Sequence, residues 1–533
     1  MKNTDIINKL SDTDLVGQVL CYDIYDHDEP KEVERIIKEI MPGAIYLANM
    51  TGEKIKMYTD MVNKYTKVPV AVVADVEFGP GENLPGLPVA PNVMAWSACD
   101  EPELIEMAAE IMAKICRLHG VHWTLSPVVD INMNLNNPLV NIRSASDSAK
   151  QVCRIMGAFL NGVQKNGYMA ATLKHFPGDG VDDRNQHFCT TVNSLSMNDW
   201  YNSFGMVYEE MIKLGVASVM CAHIALPAYK NDSDEYGGVP STLSKPLISE
   251  LLKGELKFDG CVISDAMSMV GAVSRVDLDK LALSFLNCGG DVILFNEPED
   301  HGLLMEALKN GTLKRERLLD AVDRVIELKK KARLFEKEDE IKNEIKESKE
   351  ALIEKLNIIS DKIAERSIKF VRDFDNILPI HPKPGAKFLC INLTDDDNVS
   401  AEPIRDELMR RGYMVEFRDN IGHTEMNRIM GDYDYVLINC FYTGKKHGET
   451  MRIGWDKVGV FWRGYALKHP RLIFTSFGDP YKLYDFPFLK TYINTFSYQE
   501  CSMRAFVRVL LGEKPMTAKN PITLKGTFER ETL

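Results

Sequence analysis

The sequence predicts an α/β protein in two parts: an N-terminal (β/α)8 TIM-type barrel, then a C-terminal α/β sandwich-like domain. Three observations predict it. Short β-rich runs alternate with helical stretches over the first 335 residues, the pattern of a parallel sheet with crossover helices. Several of those runs end in a polar residue, and in a barrel such ends converge on one face. A Lys/Glu-rich helical stretch then leads into a second set of apolar strand-like runs.

The runs of the first part are Gly43–Leu47, Val70–Asp75, Val121–Ser126, Met169–Lys174, Ala217–His223, Val262–Asp265 and Asp291–Phe295. Helical patterns such as Glu103–His119 and Leu247–Lys253 lie between them. Asp75, Lys174, His175, His223 and Asp265 fall at strand ends. A doubly wound sheet predicts one Gly-rich βα turn instead, and the sequence has no G-x-G-x-x-G. The barrel is therefore expected over 1–335. From 336 to 375, apolar residues from Ile341 to Phe370 recur at three-, four- or seven-residue steps, which predicts one long amphipathic linker helix. Runs at Lys387–Leu393, Tyr435–Cys440 and Leu472–Phe477, with a helical pattern at Ala401–Arg411, predict the second domain over 376–533.

Composition narrows the function classes. The 533 residues are 45% hydrophobic and 26% charged, a soluble globular balance. A net charge of -13 argues against nucleic acid or an anionic membrane as partner. Eleven scattered cysteines without a CxxC pair read as free thiols in a reducing compartment. The N-terminus has no signal-peptide h-region, and no run of about 18 apolar residues occurs, so a cytoplasmic location is expected. No cofactor motif is present. His175, Asp179, Asp182, Asp183 and His187 have metal-ligand side chains, but flexible polar loops often look like this and no metal is assigned.

Four segments carry chemistry. Lys174–Gly180 (KHFPGDG) ends a strand in Lys-His and opens a polar loop, VDDRNQH, reaching His187. Lys174 and His175 are suited to bonding sugar hydroxyls. In Val262–Ala272 (VISDAMSMVGA), Asp265 follows an apolar strand, where a carboxylate serves as a nucleophile or electrostatic stabiliser, or simply caps a helix. In Leu125–Arg143 (LSPVVDINMNLNNPLVNIR), Asp130 and Arg143 bracket an Asn-rich loop. Asp75 ends the strand of VVADVE.

Taken together, the order and wording of these segments resemble glycoside hydrolase family 3, especially bacterial two-domain β-N-acetylglucosaminidases. The resemblance runs through Asp75, SPVVDINMNLNNPLVNIR, KHFPGDG, Cys221–His223 (CAH) and FDGCVISDAMSM, about residues 10 to 335. Thr475–Tyr481 (TSFGDPY) and Tyr492–Phe496 (YINTF) extend it into the second domain. It implies a retaining mechanism without a cofactor, with Asp265 as nucleophile and His187 as acid/base. It further implies that Asp75, Arg143, Lys174 and His175 hold the sugar, with His223 lining the same pocket. The partner would be a small oligosaccharide or glycoside, and the assembly a monomer or homodimer.

The chain departs from that pattern in three places. Asn185 stands where the family pairs an Asp with the catalytic His, bringing no charge and the risk of the wrong tautomer. Asp179 stands where a His is common, and VEFGPG replaces a GGR-type segment, leaving Glu77 or Glu82 to reshape that wall. Three readings of Asn185 stay open: an engineered near-isosteric Asp→Asn exchange, a natural enzyme with Asp182 or Asp183 supplying the charge, or a sugar-binding protein without turnover. The reaction classes open are hydrolysis of terminal β-linked N-acetylhexosamine, phosphorolysis, and other β-glycosidase chemistry.

Overall fold

The computed structural model describes residues 2–394, 396, 399–419, 421–442, 451–454 and 458–533. It divides into two compact units. The first comprises residues 1–89, 105–131 and 152–356, and the second 90–104, 132–151 and 357–533. Two excursions from the barrel sequence thus group with the C-terminal domain, where the sequence predicts an unbroken barrel over 1–335.

The first unit is the expected barrel. Its strands are β1 (Leu20–Tyr25), β2 (Ala44–Ala48), β3 (Ala71–Ala74), β4 (Trp123–Thr124), β5 (Ala170–Phe176), β6 (Ser218–Cys221), β7 (Cys261–Ser264) and β8 (Ile293–Leu294). They pair in parallel in the order β8-β1-β2-β3-β4-β5-β6-β7. A parallel bridge from Ile263 to Val292, beside β8, closes the ring. Strand β1 is absent from the sequence prediction, because Asp23 and two tyrosines interrupt its apolar run.

Inward residues fill the barrel, as closure requires. Cys21, Ala44, Ala71, Trp123, Ala170, Ala217 and Cys261 form one core with Val325 and Leu328 of the helix Arg315–Lys331. The same helix buries Lys329, whose Nζ donates to Gln18 Oε1 at 2.7 Å. Burial pushes this amine down to about 7.

The predicted linker helix over 336–370 is broken in two, Glu338–Glu344 and Lys349–Ser367, and Phe370 lies in a strand. Ile341 and Ile345 are buried on the first helix and its end, and Leu352, Leu356 and Ile363 on the second. The apolar spacing thus survives an interruption that periodicity alone does not reveal.

The second unit holds a six-stranded sheet: β9 (Lys369–Asp373), β10 (Lys387–Thr394), β11 (Met414–Asp419), β12 (Tyr435–Phe441), β13 (Leu472–Ser476) and β14 (Thr491–Asn494). Their order is β9-β14-β13-β12-β10-β11, parallel except for the β9–β14 pair. Alternate residues feed cores on opposite faces. Leu389, Ile391, Val436 and Ile438 go to one, and Phe388, Cys390, Tyr435 and Leu437 to the other. Met94 and Ile142, from the two excursions, pack into the first of these. Among the described residues no helix is long and apolar enough to cross a membrane.

Candidate active site

The C-terminal ends of β3, β5, β6 and β7 carry the predicted site residues of the first unit. Asp75 follows β3 and accepts bonds from Tyr46 Oη at 2.9 Å and Lys174 Nζ at 2.7 Å. Burial and the Asp75 charge push the Tyr46 phenol well above its ordinary range, so it stays a donor. Lys174, only 4% exposed, also reaches Glu77 Oε1 at 2.8 Å. A buried ammonium needs such partners. Here two carboxylates grip it, so Lys174 supports Asp75 as much as it faces any ligand. Glu82 accepts the N–H groups of Phe78 and Gly79 at 2.7 and 3.0 Å. Burial, reinforced by the Glu77 charge, raises its carboxyl well above the usual range. Glu77 of the VEFGPG stretch and the adjoining Glu82 are thus both engaged within the protein, Glu77 by Lys174 and Glu82 by two backbone N–H groups.

A backbone extension beyond β4 places Asp130 against the Lys-His end of β5. Val128 bridges Lys174 in parallel, and Val129 N donates to Lys174 O at 2.8 Å. Asp130, fully buried, accepts three bonds: His175 N at 3.1 Å, His175 Nδ1 at 2.6 Å and Asp179 N at 2.8 Å. A carboxylate only accepts, so His175 carries its proton on Nδ1 and leaves Nε2 for another partner. The sequence names Asp130 only as a loop boundary; its grip on His175 is the functional contact that reading misses.

Asp265 follows β7. Its N–H donates to Cys221 O at 2.8 Å, and its Oδ1 accepts from Ala266 N at 2.8 Å. Burial works to raise this carboxyl. The fields of His175 and His223, the Ala266 N–H and the field of His187 outweigh it and hold the group below the ordinary carboxylate range. The Asp265 carboxyl is thus held toward its ionised form.

His223 is fully buried with both ring nitrogens engaged. Nε2 lies 3.0 Å from Ala266 O and Nδ1 3.0 Å from Thr242 Oγ1. A carbonyl only accepts, so Nε2 is the protonated nitrogen and Nδ1 accepts from Thr242. Burial, aided by His175, keeps the ring below its usual basicity, although Asp265 and Ala266 O pull the other way. The ring is committed to the backbone beside Asp265, not to a sugar hydroxyl.

The loop after β5 carries His187. Asn185 Oδ1 accepts both His187 N at 3.0 Å and His187 Nδ1 at 2.6 Å. The backbone N–H can meet only the amide oxygen, which fixes the orientation of Asn185 and puts the ring proton on Nδ1. Asn185 thus orients the ring as a carboxylate at this position would, without bringing a charge of its own. Asp182, an alternative source of that charge, accepts from Arg184 and from Val192 N at 2.8 Å, while Asp183 is exposed. Among the described residues no group of His, Cys, Asp and Glu is arranged to hold a metal ion. Arg143 belongs to the second unit, where its Nη1 donates to Leu139 O at 3.2 Å.

Known proteins with the same features place the chain. The family model described as "Glycosyl hydrolase family 3 N terminal domain" matches residues 14–328. A Cellulomonas fimi protein named beta-N-acetylglucosaminidase/beta-glucosidase is 28% identical over 545 residues, covering 96% of this chain and 94% of its own. A Methylobacillus flagellatus beta-hexosaminidase is 25% identical over 52% of this chain and 80% of its own. A solved beta-glucoside phosphorylase, BglX, superposes with a TM-score of 0.88 at 27% identity, over 98% of this chain and 95% of that one. A Paenibacillus family 3 beta-N-acetylglucosaminidase shares the fold, with a TM-score of 0.83 at 23% identity over 97% of this chain and 100% of that one. The family match spans more than half of the sequence, and the chain belongs to glycosyl hydrolase family 3 and is a glycoside hydrolase.

Proposed function

We propose that this protein is a retaining exo-glycosidase that removes terminal β-linked N-acetylhexosamine through a covalent glycosyl-enzyme intermediate. The observation that carries the reading is Asp265 at the C-terminal end of β7, its Oδ1 held by Ala266 N at 2.8 Å and its carboxyl kept below the ordinary range. In the first step an Asp265 oxygen bonds to the anomeric carbon as the bond to the leaving oxygen breaks, and protonated His187 gives that oxygen its Nε2 proton. In the second step His187 takes a proton from the incoming nucleophile, which displaces Asp265. Asn185 sets the ring's direction by accepting Nδ1–H. Asp75, His175 and Lys174 hold sugar hydroxyls, and His223 braces the backbone beside Asp265. The Cellulomonas fimi relative's name pairs N-acetylglucosaminidase with glucosidase, and the Methylobacillus flagellatus relative's name, beta-hexosaminidase, supports the N-acetylhexosamine preference. The eleven free cysteines support a cytoplasmic site of action.

A second reading, phosphorolysis, is favoured by one feature of the dyad. Asn185 is neutral, so this member of the dyad adds no charge to repel an incoming phosphate. The BglX neighbour, titled a beta-glucoside phosphorylase, supports it. One experiment separates the readings: release of aryl alcohol from aryl β-N-acetylglucosaminide and β-glucoside, with and without phosphate. The proposal expects the N-acetylglucosaminide to be preferred by about tenfold or more in kcat/KM. Formation of a sugar 1-phosphate would establish the second reading, and preference for the glucoside would defeat the sugar assignment.

A further inference from the structure

The loop bearing His187 is tied to the nucleophile's strand end by contacts that the catalytic assignment does not use. Gln186, 1% exposed, sits between Asn185 and His187, and its Oε1 accepts His223 N at 3.0 Å. Thr191 N donates to His223 O at 3.2 Å, and Thr191–Val192 pairs in parallel with Ile224–Ala225. The loop therefore holds both backbone polar groups of His223. The His223 ring in turn bonds Ala266 O, and Ala266 N bonds the Asp265 carboxylate. A second set of contacts closes the circuit. Val270 N donates to His187 O at 3.1 Å, and Thr190 Oγ1 donates to Gly271 O at 3.0 Å. A Cβ on Gly271 would lie 2.4 Å from Gln186 O and 2.9 Å from His223 Cβ, so only glycine lets the loop seat here.

The Gln186 amide is not placed for its own satisfaction. The His223 N–H selects its oxygen, which leaves Nε2 buried with no protein partner among the described residues. The amide's placement is therefore set by its oxygen contact to His223 N and not by its N–H groups.

We propose that Gln186 is a positioning residue for the reaction: it latches the acid/base loop to His223 and so registers His187 against Asp265. The inference rests on reading His187 as the acid/base. It predicts that loosening the latch harms proton delivery while leaving nucleophilic attack intact. Glycosides with poor leaving groups need that proton; activated dinitrophenyl glycosides do not.

The test compares Gln186→Leu and Gln186→Glu with the parent. Gln186→Leu removes the acceptor at similar size, and Gln186→Glu restores an acceptor oxygen. Two readouts are taken: hydrogen exchange of residues 181–193, and turnover of aryl β-N-acetylglucosaminides of differing leaving group. In Gln186→Leu, exchange in 181–193 should quicken with the barrel strands unchanged. Turnover of poor leaving groups should fall about tenfold or more, and that of dinitrophenyl substrate by no more than about twofold. Gln186→Glu should recover both. Unchanged loop exchange, equal losses on both substrate classes, or failure of Gln186→Glu to recover would overturn the latch. If the parent turns over no aryl glycoside yet Gln186→Leu loosens the loop and Gln186→Glu tightens it, the functional reading falls and the latch stands.

Discussion

His175 and His187 are held in the same way by different chemistry. In each, one side chain accepts both the residue's backbone N–H and its Nδ1–H, with the ring contact at 2.6 Å. For His175 that side chain is Asp130, fully buried and also holding Asp179 N. For His187 it is Asn185, on a loop that is partly exposed. Geometry and tautomer are therefore separable from charge. The His175 ring is anchored by a fully buried carboxylate. The His187 ring is gripped in the same geometry, but the side chain that grips it is a neutral amide.

The comparison breaks most severely at Asp130. An Asn there offers one acceptor oxygen where the carboxylate meets three N–H groups, and it turns its own amide hydrogens on the rest. Asp130→Asn should cost about 3 kcal/mol of stability, read as a lowered urea midpoint at unchanged slope. An unaltered midpoint would mean that the charge on this side is dispensable.

Asn185→Asp sharpens the comparison by making the two grips alike. An added carboxylate favours the protonated ring, so the alkaline limb of the kcat/KM profile should move to higher pH. Turnover of poor leaving groups should rise about 10- to 100-fold, well short of the triad precedent because orientation is already correct. No gain would mean that another group already supplies the charge.

The third imidazole, His223, gives the smallest effect. Its folded form is less basic than the ordinary value of 6.5. The unfolded chain then binds the extra proton first as pH falls, so its contribution to stability is full above about pH 6.5 and lost on acidification below it. The loss can reach about 1.4 kcal/mol per pH unit. Thermal melts of His223→Gln should show a shallower decline between about pH 6.5 and 5 than the parent. Parallel declines would place the acid sensitivity elsewhere, for example at His122, which burial also holds well below its ordinary range.

Much of this site was legible in the sequence because strand-end position is a local property. Asp75, Lys174, His175, His223 and Asp265 needed only apolar runs followed by a polar residue, and the family wording added His187. What each group touches was less legible. Nothing local to Lys174 shows that Asp75 and Glu77 grip it, and nothing local to His223 shows that Thr242 and Ala266 O consume its ring. The break between Glu344 and Lys349 was hidden because apolar spacing continues across it. Strand β1 was hidden because Asp23 interrupts its pattern. The grouping of 90–104 and 132–151 with the second unit follows from long-range packing, as in the seating of Ile142 among Leu389 and Val436.

The central claim is that Asp265 becomes glycosylated while His187 manages the proton. The most direct measurement is rapid quenching of the parent with dinitrophenyl β-N-acetylglucosaminide, followed by intact mass and peptide mapping. The account predicts one added N-acetylhexosaminyl group, mapped to Asp265 and absent from Asp265→Ala, with the product keeping the β configuration. Turnover with an inverted product, or an adduct on any other residue, would contradict it.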